Sequence, residues 1–150
     1  MATRIGIGLL GLGTVGAGVA SILSSPEGRH PLIAELDLVR VAVRDLNRSR
    51  PVAIPQERLT TNPESVVDDP EVQVVVEVMG GIEPARTLIM RAIAAGKSVV
   101  TANKAVIARH GEEIAAAAAA AGVYVLIEAA VGGGIPIIEP LKQSLGSNRI

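Results

Sequence analysis

The residues best suited to chemistry stand in a few short runs. Gly11-Leu12-Gly13-Thr14-Val15-Gly16 has the spacing G-x-G-x-x-G. In that pattern the first glycine makes a tight turn, the second lets the backbone approach a pyrophosphate and the third lets a helix close on a strand. The phosphate then rests on free N–H groups at the positive end of the helix dipole. A structural glycine turn in a non-binding sheet protein would have the same letters, but here the run directly follows the apolar stretch Ile5–Leu10 and opens a segment rich in small residues (Gly16, Ala17, Gly18, Ala20).

Arg44-Asp45 closes the next apolar run, Val39–Val43. An acidic residue at that place accepts the ribose 2′-hydroxyl of NAD, whereas an arginine accommodates the 2′-phosphate of NADP. With Arg44 as the last strand side chain and Arg48 and Arg50 nearby, the pattern leans toward NADP; a solvated basic loop is the alternative. Glu77-Val78-Met79-Gly80-Gly81 and Thr101-Ala102-Asn103-Lys104-Ala105 follow two later apolar runs. Lys104 would present an ammonium to a substrate carboxylate or to an oxygen gaining charge during hydride transfer, or else stand as a solvated surface charge. Glu128-Ala129-Ala130-Val131-Gly132-Gly133-Gly134-Ile135-Pro136 joins one carboxylate to unencumbered glycine carbonyls. Oxygen ligands of that kind suit a hard cation; the other reading is a hinge in which Glu128 caps a nearby helix.

These runs need elements to hold them. Apolar runs of four to eight residues alternate with helical periods, and the runs are continuous, as in parallel strands buried on both faces. Strands are predicted at Arg4–Leu10, Leu36–Arg44, Leu59–Thr61, Gln73–Val78, Ser98–Thr101 and Val123–Ile127, with helices at Thr14–Leu23, Pro63–Asp68, Pro84–Ala95 and Gly111–Ala121. Gly96 and Gly122 mark helix ends. The alternation gives an α/β fold of Rossmann type, a doubly wound, mainly parallel sheet with helices on both faces and ligands beyond the carboxyl ends of the strands. From Val131 the alternation breaks. Residues 1–130 therefore read as a nucleotide-binding domain, and 131–150, with an amphipathic stretch over 137–145 and a strand opening near Ile150, as the start of a second one.

At 150 residues with 49% hydrophobic and 19% charged residues, the chain supports one core. Fourteen basic residues stand against 15 acidic ones and the chain has a single aromatic residue, Tyr124, so neither the charge nor the stacking platforms for nucleic acid are present. There is no cysteine, hence no disulfide framework, thiolate metal site or cysteine nucleophile. No apolar stretch is long enough to span a membrane and no signal-peptide pattern opens the chain, so the expected location is the cytoplasm.

The runs at 11–16, 100–105 (Val-Thr-Ala-Asn-Lys-Ala) and 128–138, in this order and spacing, resemble the N-terminal part of homoserine dehydrogenases, and the wording at 28–31 and 140–150 resembles cyanobacterial members. The resemblance implies NADP or NAD as cofactor, interconversion of homoserine and aspartate 4-semialdehyde in threonine and methionine biosynthesis, and a homodimer in the full-length enzyme. It implies that Gly11, Gly13, Thr14, Val15 and Gly16 hold the pyrophosphate, with Gly80 on the same side. It places Arg44 at the adenosine ribose or its phosphate and Lys104 close to the nicotinamide and substrate as a catalytic group. It also implies a monovalent cation such as sodium on Glu128 and the backbone carbonyls of Val131, Gly133 and Ile135.

Family members are much longer, and their remaining part supplies further substrate-binding carboxylates, a second catalytic lysine and most of the dimer interface. The chain is therefore expected to be a fragment or isolated domain, inactive alone. Two other readings stay open: the nucleotide domain of another amino-acid dehydrogenase, such as an aspartate dehydrogenase, and a nucleotide-binding module without chemistry.

Overall fold

The computed structural model describes residues 4–143. Six parallel strands, β1 (Ile5–Leu10), β2 (Leu36–Ala42), β3 (Leu59–Thr60), β4 (Val74–Glu77), β5 (Ser98–Thr101) and β6 (Val125–Leu126), form one sheet in the order β3-β2-β1-β4-β5-β6. The helices are α1 (Thr14–Ser24), α2 (Glu64–Val67), α3 (Ala85–Ala94), α4 (Lys104–Ala121), α5 (Glu128–Val131) and α6 (Ile138–Gln143). The chain runs outward from β1 to β3 and returns to β4 on the other side of β1. The switch point thus lies between β1 and β4, where a doubly wound sheet opens a crevice at its carboxyl end.

Side-chain alternation splits the core between the two sheet faces. Ile7 and Leu9 of β1 point to the face covered by α1, where they join Ala20, Leu38, Val41 and Val76. Leu10 points to the other face, with Val75, Val99 and the apolar sides of α2, α3 and α4 (Val66, Leu88, Ile89, Ile93, Val106, Ile114). Gly8 shares Leu10's face: a Cβ there would meet Val66 at 2.7 Å and Val72 at 2.9 Å, so the missing side chain lets the connection into β4 press on the centre of the sheet. No α-helix forms between β2 and β3; Leu46, Val52 and Ile54 of that connection pack against the α1 face instead.

The expected fold class is observed. Several boundaries differ. Strand β2 ends at Ala42, two residues before Arg44, because beyond it Val43 donates to the Thr60 carbonyl at 2.8 Å and the chain turns out to solvent. Helix α4 starts at Lys104, seven residues ahead of the expected Gly111, because the Asn103 side chain accepts from the Val106 amide at 3.2 Å and caps it. Gly111 lies within the helix, where a Cβ would meet only the Ile107 side chain, at 3.6 Å. The single turn α5 was not expected. Gly122 ends α4 in the left-handed conformation, φ 68°, as its position indicated. The strand expected at the chain's end lies outside the described residues, and no described helix is long and apolar enough to cross a membrane.

Candidate functional site

The glycine run fills the turn from β1 into α1. Gly11 has φ 102°, which a side chain would strain, and its amide donates to the Ala42 carbonyl at 3.0 Å. A Cβ on Gly11 would also sit 3.0 Å from the Val78 carbonyl oxygen, so the loops after β1 and β4 are in contact at the switch point. A Cβ on Gly16 would lie 2.1 Å from the Gly11 carbonyl oxygen; this glycine lets the first turn of α1 close on the strand end.

Gly13 differs from both. It is the N-cap of α1 and is exposed, and a Cβ there would meet no protein atom within 4 Å. The protein's own packing therefore does not demand glycine at this position. No side chain caps α1 and no acidic residue lies in its first turn, so the amides at Thr14, Val15 and Gly16 meet the helix's positive end without an internal anion. Thr14 and Val15 are exposed there.

A cleft of about 400 Å3 runs beside this terminus, lined by Gly13, Thr14, Gly18 and Ser21 on one side and Arg48, Ser49 and Arg50 on the other. Arg50 holds its own loop, donating to the Arg48 carbonyl at 2.8 Å and to the Asp45 carbonyl. Arg44 is exposed and does not line this cleft, whereas Arg48 and Arg50 do. A larger groove, about 520 Å3, opens at the amino ends of the strands, but its Arg58 is engaged by Asp37 and the Leu38 carbonyl. That is the wrong edge of a doubly wound sheet for a ligand.

Beyond the switch point, the ends of β4 and β5 are bound together by a carboxylate. Glu77, the last residue of β4, is fully buried. Its Oε2 accepts the Thr101 hydroxyl at 2.7 Å, and its Oε1 accepts the Met79 amide at 2.8 Å and Asn103 Nδ2 at 3.4 Å. Asn103 Nδ2 also donates to the Gly81 carbonyl at 2.7 Å. The exposed Gly80–Gly81 turn and the start of α4, with exposed Lys104 as its first residue, are thereby set side by side at the carboxyl edge. Reading of the residues alone missed this cluster. Its one available signal was a carboxylate closing an otherwise apolar strand.

The run at 128–138 lies apart from the glycine loop, beyond β6. Both oxygens of Glu128 accept the Ile138 amide, at 3.0 and 3.1 Å, so this carboxylate caps α6. The Ile135 carbonyl oxygen lies close to Gly132, where a Cβ would come within 2.9 Å of it. Among the described residues no group of three or more His, Cys, Asp or Glu is assembled.

Residues 11–128 match the family model described as homoserine dehydrogenase, NAD binding domain. A homoserine dehydrogenase from Synechocystis sp. is 62% identical over 144 residues, covering 96% of this chain and 33% of the relative. One from Bacillus subtilis is 43% identical over 148 residues, covering 97% and 34%. The crystal structure of a homoserine dehydrogenase from Thiobacillus denitrificans superposes with a TM-score of 0.84 at 50% identity, covering 98% of this chain and 34% of that one. The chain spans about a third of the length of the curated relatives it matches.

Proposed function

Because the chain belongs to the homoserine dehydrogenase family, as its NAD-binding domain, we propose that it is the nucleotide-binding third of an NADP(H)- or NAD(H)-dependent oxidoreductase interconverting L-homoserine and L-aspartate 4-semialdehyde. The observation that carries the reading is the uncapped N-terminus of α1, with Gly13 open to a cleft whose far wall is basic. Amides at 14–16 bind the pyrophosphate, and the loop after β2 receives the adenosine end. Arg44 and Arg48, both exposed, are the guanidinium groups available to a 2′-phosphate, which favours NADP(H). The Gly80–Gly81 turn and Lys104 border the nicotinamide half. When bound, the cofactor supplies or accepts the hydride, and the Lys104 ammonium stabilises and protonates the oxygen that gains charge.

Residues 1–130 form the nucleotide domain and 131–150 lead into the substrate and dimerisation part of the parent enzyme, a cytoplasmic homodimer. A monovalent cation such as sodium fits the 128–138 run, where Glu128 and the carbonyls of Val131, Gly133 and Ile135 offer one negative charge and neutral oxygens. The full-length protein carrying this chain is tested by following homoserine-dependent reduction of NADP+ at 340 nm, a wavelength set by the nicotinamide itself. Reduction that needs homoserine supports the reading. Reduction with aspartate in its place would assign an aspartate dehydrogenase instead, and cofactor binding with neither substrate turned over would assign a non-catalytic module.

A further inference from the structure

Glu77 is a wholly buried carboxylate, and none of the ion pairs among the described residues includes it. Its partners are neutral: the Thr101 hydroxyl, the Met79 amide and the Asn103 side-chain amide. Thr101 Oγ1 in turn accepts the Asn103 backbone amide at 3.0 Å, which ties the hydroxyl to the same cluster. Each of the contacts to Glu77 is a donor set against a carboxylate oxygen.

A buried charge without a counter-ion is costly where it serves packing alone, since neutral residues of the same shape would fill the space. Glu77 closes β4 directly under the turn 79–81, at the switch point where a doubly wound sheet receives a dinucleotide. The oxidised nicotinamide ring carries a positive charge and the reduced ring carries none. We infer that the Glu77 carboxylate, held by Thr101, Met79 and Asn103 beneath the Gly80–Gly81 turn, is a specificity-determining charge that makes this site prefer oxidised over reduced nicotinamide. The inference rests on the nucleotide-binding reading above.

Two unit charges about 10 Å apart, at an effective dielectric between about 20 and about 50, shift an equilibrium about three- to fifteenfold. The test titrates NADP+ and NADPH separately into the full-length protein and into its Glu77→Gln variant, which keeps the shape and removes the charge. The expected result is a three- to fifteenfold rise in the Kd for NADP+ with the Kd for NADPH within about twofold of wild type. Glu77→Met, which removes charge and hydrogen bonds together, should weaken both forms and still move the Kd ratio in the same direction. A purely structural Glu77 would weaken both forms in parallel, and parallel weakening or an unmoved ratio overturns the inference. Failure of both variants to fold assigns Glu77 to stability alone and also overturns it. Wild-type protein that binds neither form overturns the nucleotide reading itself, and the inference with it.

Discussion

Gly16 and Gly11 are in contact across the turn between strand and helix: a Cβ added to Gly16 would stand 2.1 Å from the Gly11 carbonyl oxygen. The end of β1 and the first turn of α1 are therefore one rigid unit, and the amides of that turn are aimed by packing and not by any ligand. Gly13 contrasts with both: a Cβ there would meet nothing within 4 Å, so packing makes no demand for glycine at that position.

Gly16→Ala should lower the stability of the chain by about 1–3 kcal/mol, the usual cost of overpacking against backbone. Gly13→Val, at an exposed N-cap, should cost under about 1 kcal/mol. Thermal or urea unfolding of both variants checks the order. Equal losses would mean that the two glycines serve the same structural purpose.

The basic loop after β2 should set the choice between cofactors. Arg44→Ala and Arg48→Ala are each expected to raise the Kd for NADPH about tenfold and leave that for NADH within about twofold, since a guanidinium makes charge-assisted bonds to a 2′-phosphate that a hydroxyl does not match. Titration of both cofactors decides it. The variant that weakens NADPH and NADH alike is the one whose arginine only shapes the loop. Arg50 serves that structural purpose through its bonds to the Asp45 and Arg48 carbonyls.

Helices α3 and α4 are joined on their surface by Arg86 and Glu113, with Arg86 Nε donating to Glu113 Oε2 at 3.0 Å. That hydrogen bond first, and then the Arg86 charge, hold the Glu113 carboxyl below its ordinary value of 4.5. A depressed carboxyl stabilises the fold above its unfolded value and loses that contribution as pH falls through the folded one. Arg86→Gln should therefore lower the Tm by more at pH 7 than at pH 3. A loss of the same size at both pH values would show that Arg86 acts through packing alone.

Lys104 opens α4 at the edge where the Gly80–Gly81 turn and Asn103 meet. In the full-length protein Lys104→Ala should cut kcat about 100- to 1000-fold with cofactor Kd little changed, the typical loss of one preorganised electrostatic contact. The 150-residue chain should bind cofactor yet fail to oxidise homoserine, since in the proposed enzyme the groups that grip the substrate lie in the remaining part. Steady-state kinetics of the variant and an activity assay of the isolated chain check the two statements. Full activity of Lys104→Ala would remove the lysine from the chemistry.

The strands could be read from the residues because burial on both faces writes them as short runs dominated by Val, Ile and Leu, and the glycine turn because its spacing sits between such a run and a helix. Gly111 looks like a boundary when helix propensity is weighed alone, whereas the decisive contact is the Asn103 cap eight residues earlier in the chain. Arg44 was assigned to a strand end on the length of its apolar run. Val43 does continue that run, but it bonds to the carbonyl of Thr60 past the last ladder pair, so Arg44 leaves with the loop. The Glu77 cluster was illegible for a different reason: its partners Thr101 and Asn103 are more than twenty residues away in sequence and meet it only through the pairing of β4 with β5.

The central claim is that α1 receives a pyrophosphate at Gly13. It is tested most directly by titrating NADPH into the purified chain and following its fluorescence, with Gly13→Val measured alongside. The account predicts a saturable enhancement for the parent and none for a Gly13→Val variant that keeps the parent's circular dichroism spectrum. A folded Gly13→Val variant that binds NADPH as tightly as the parent would contradict it.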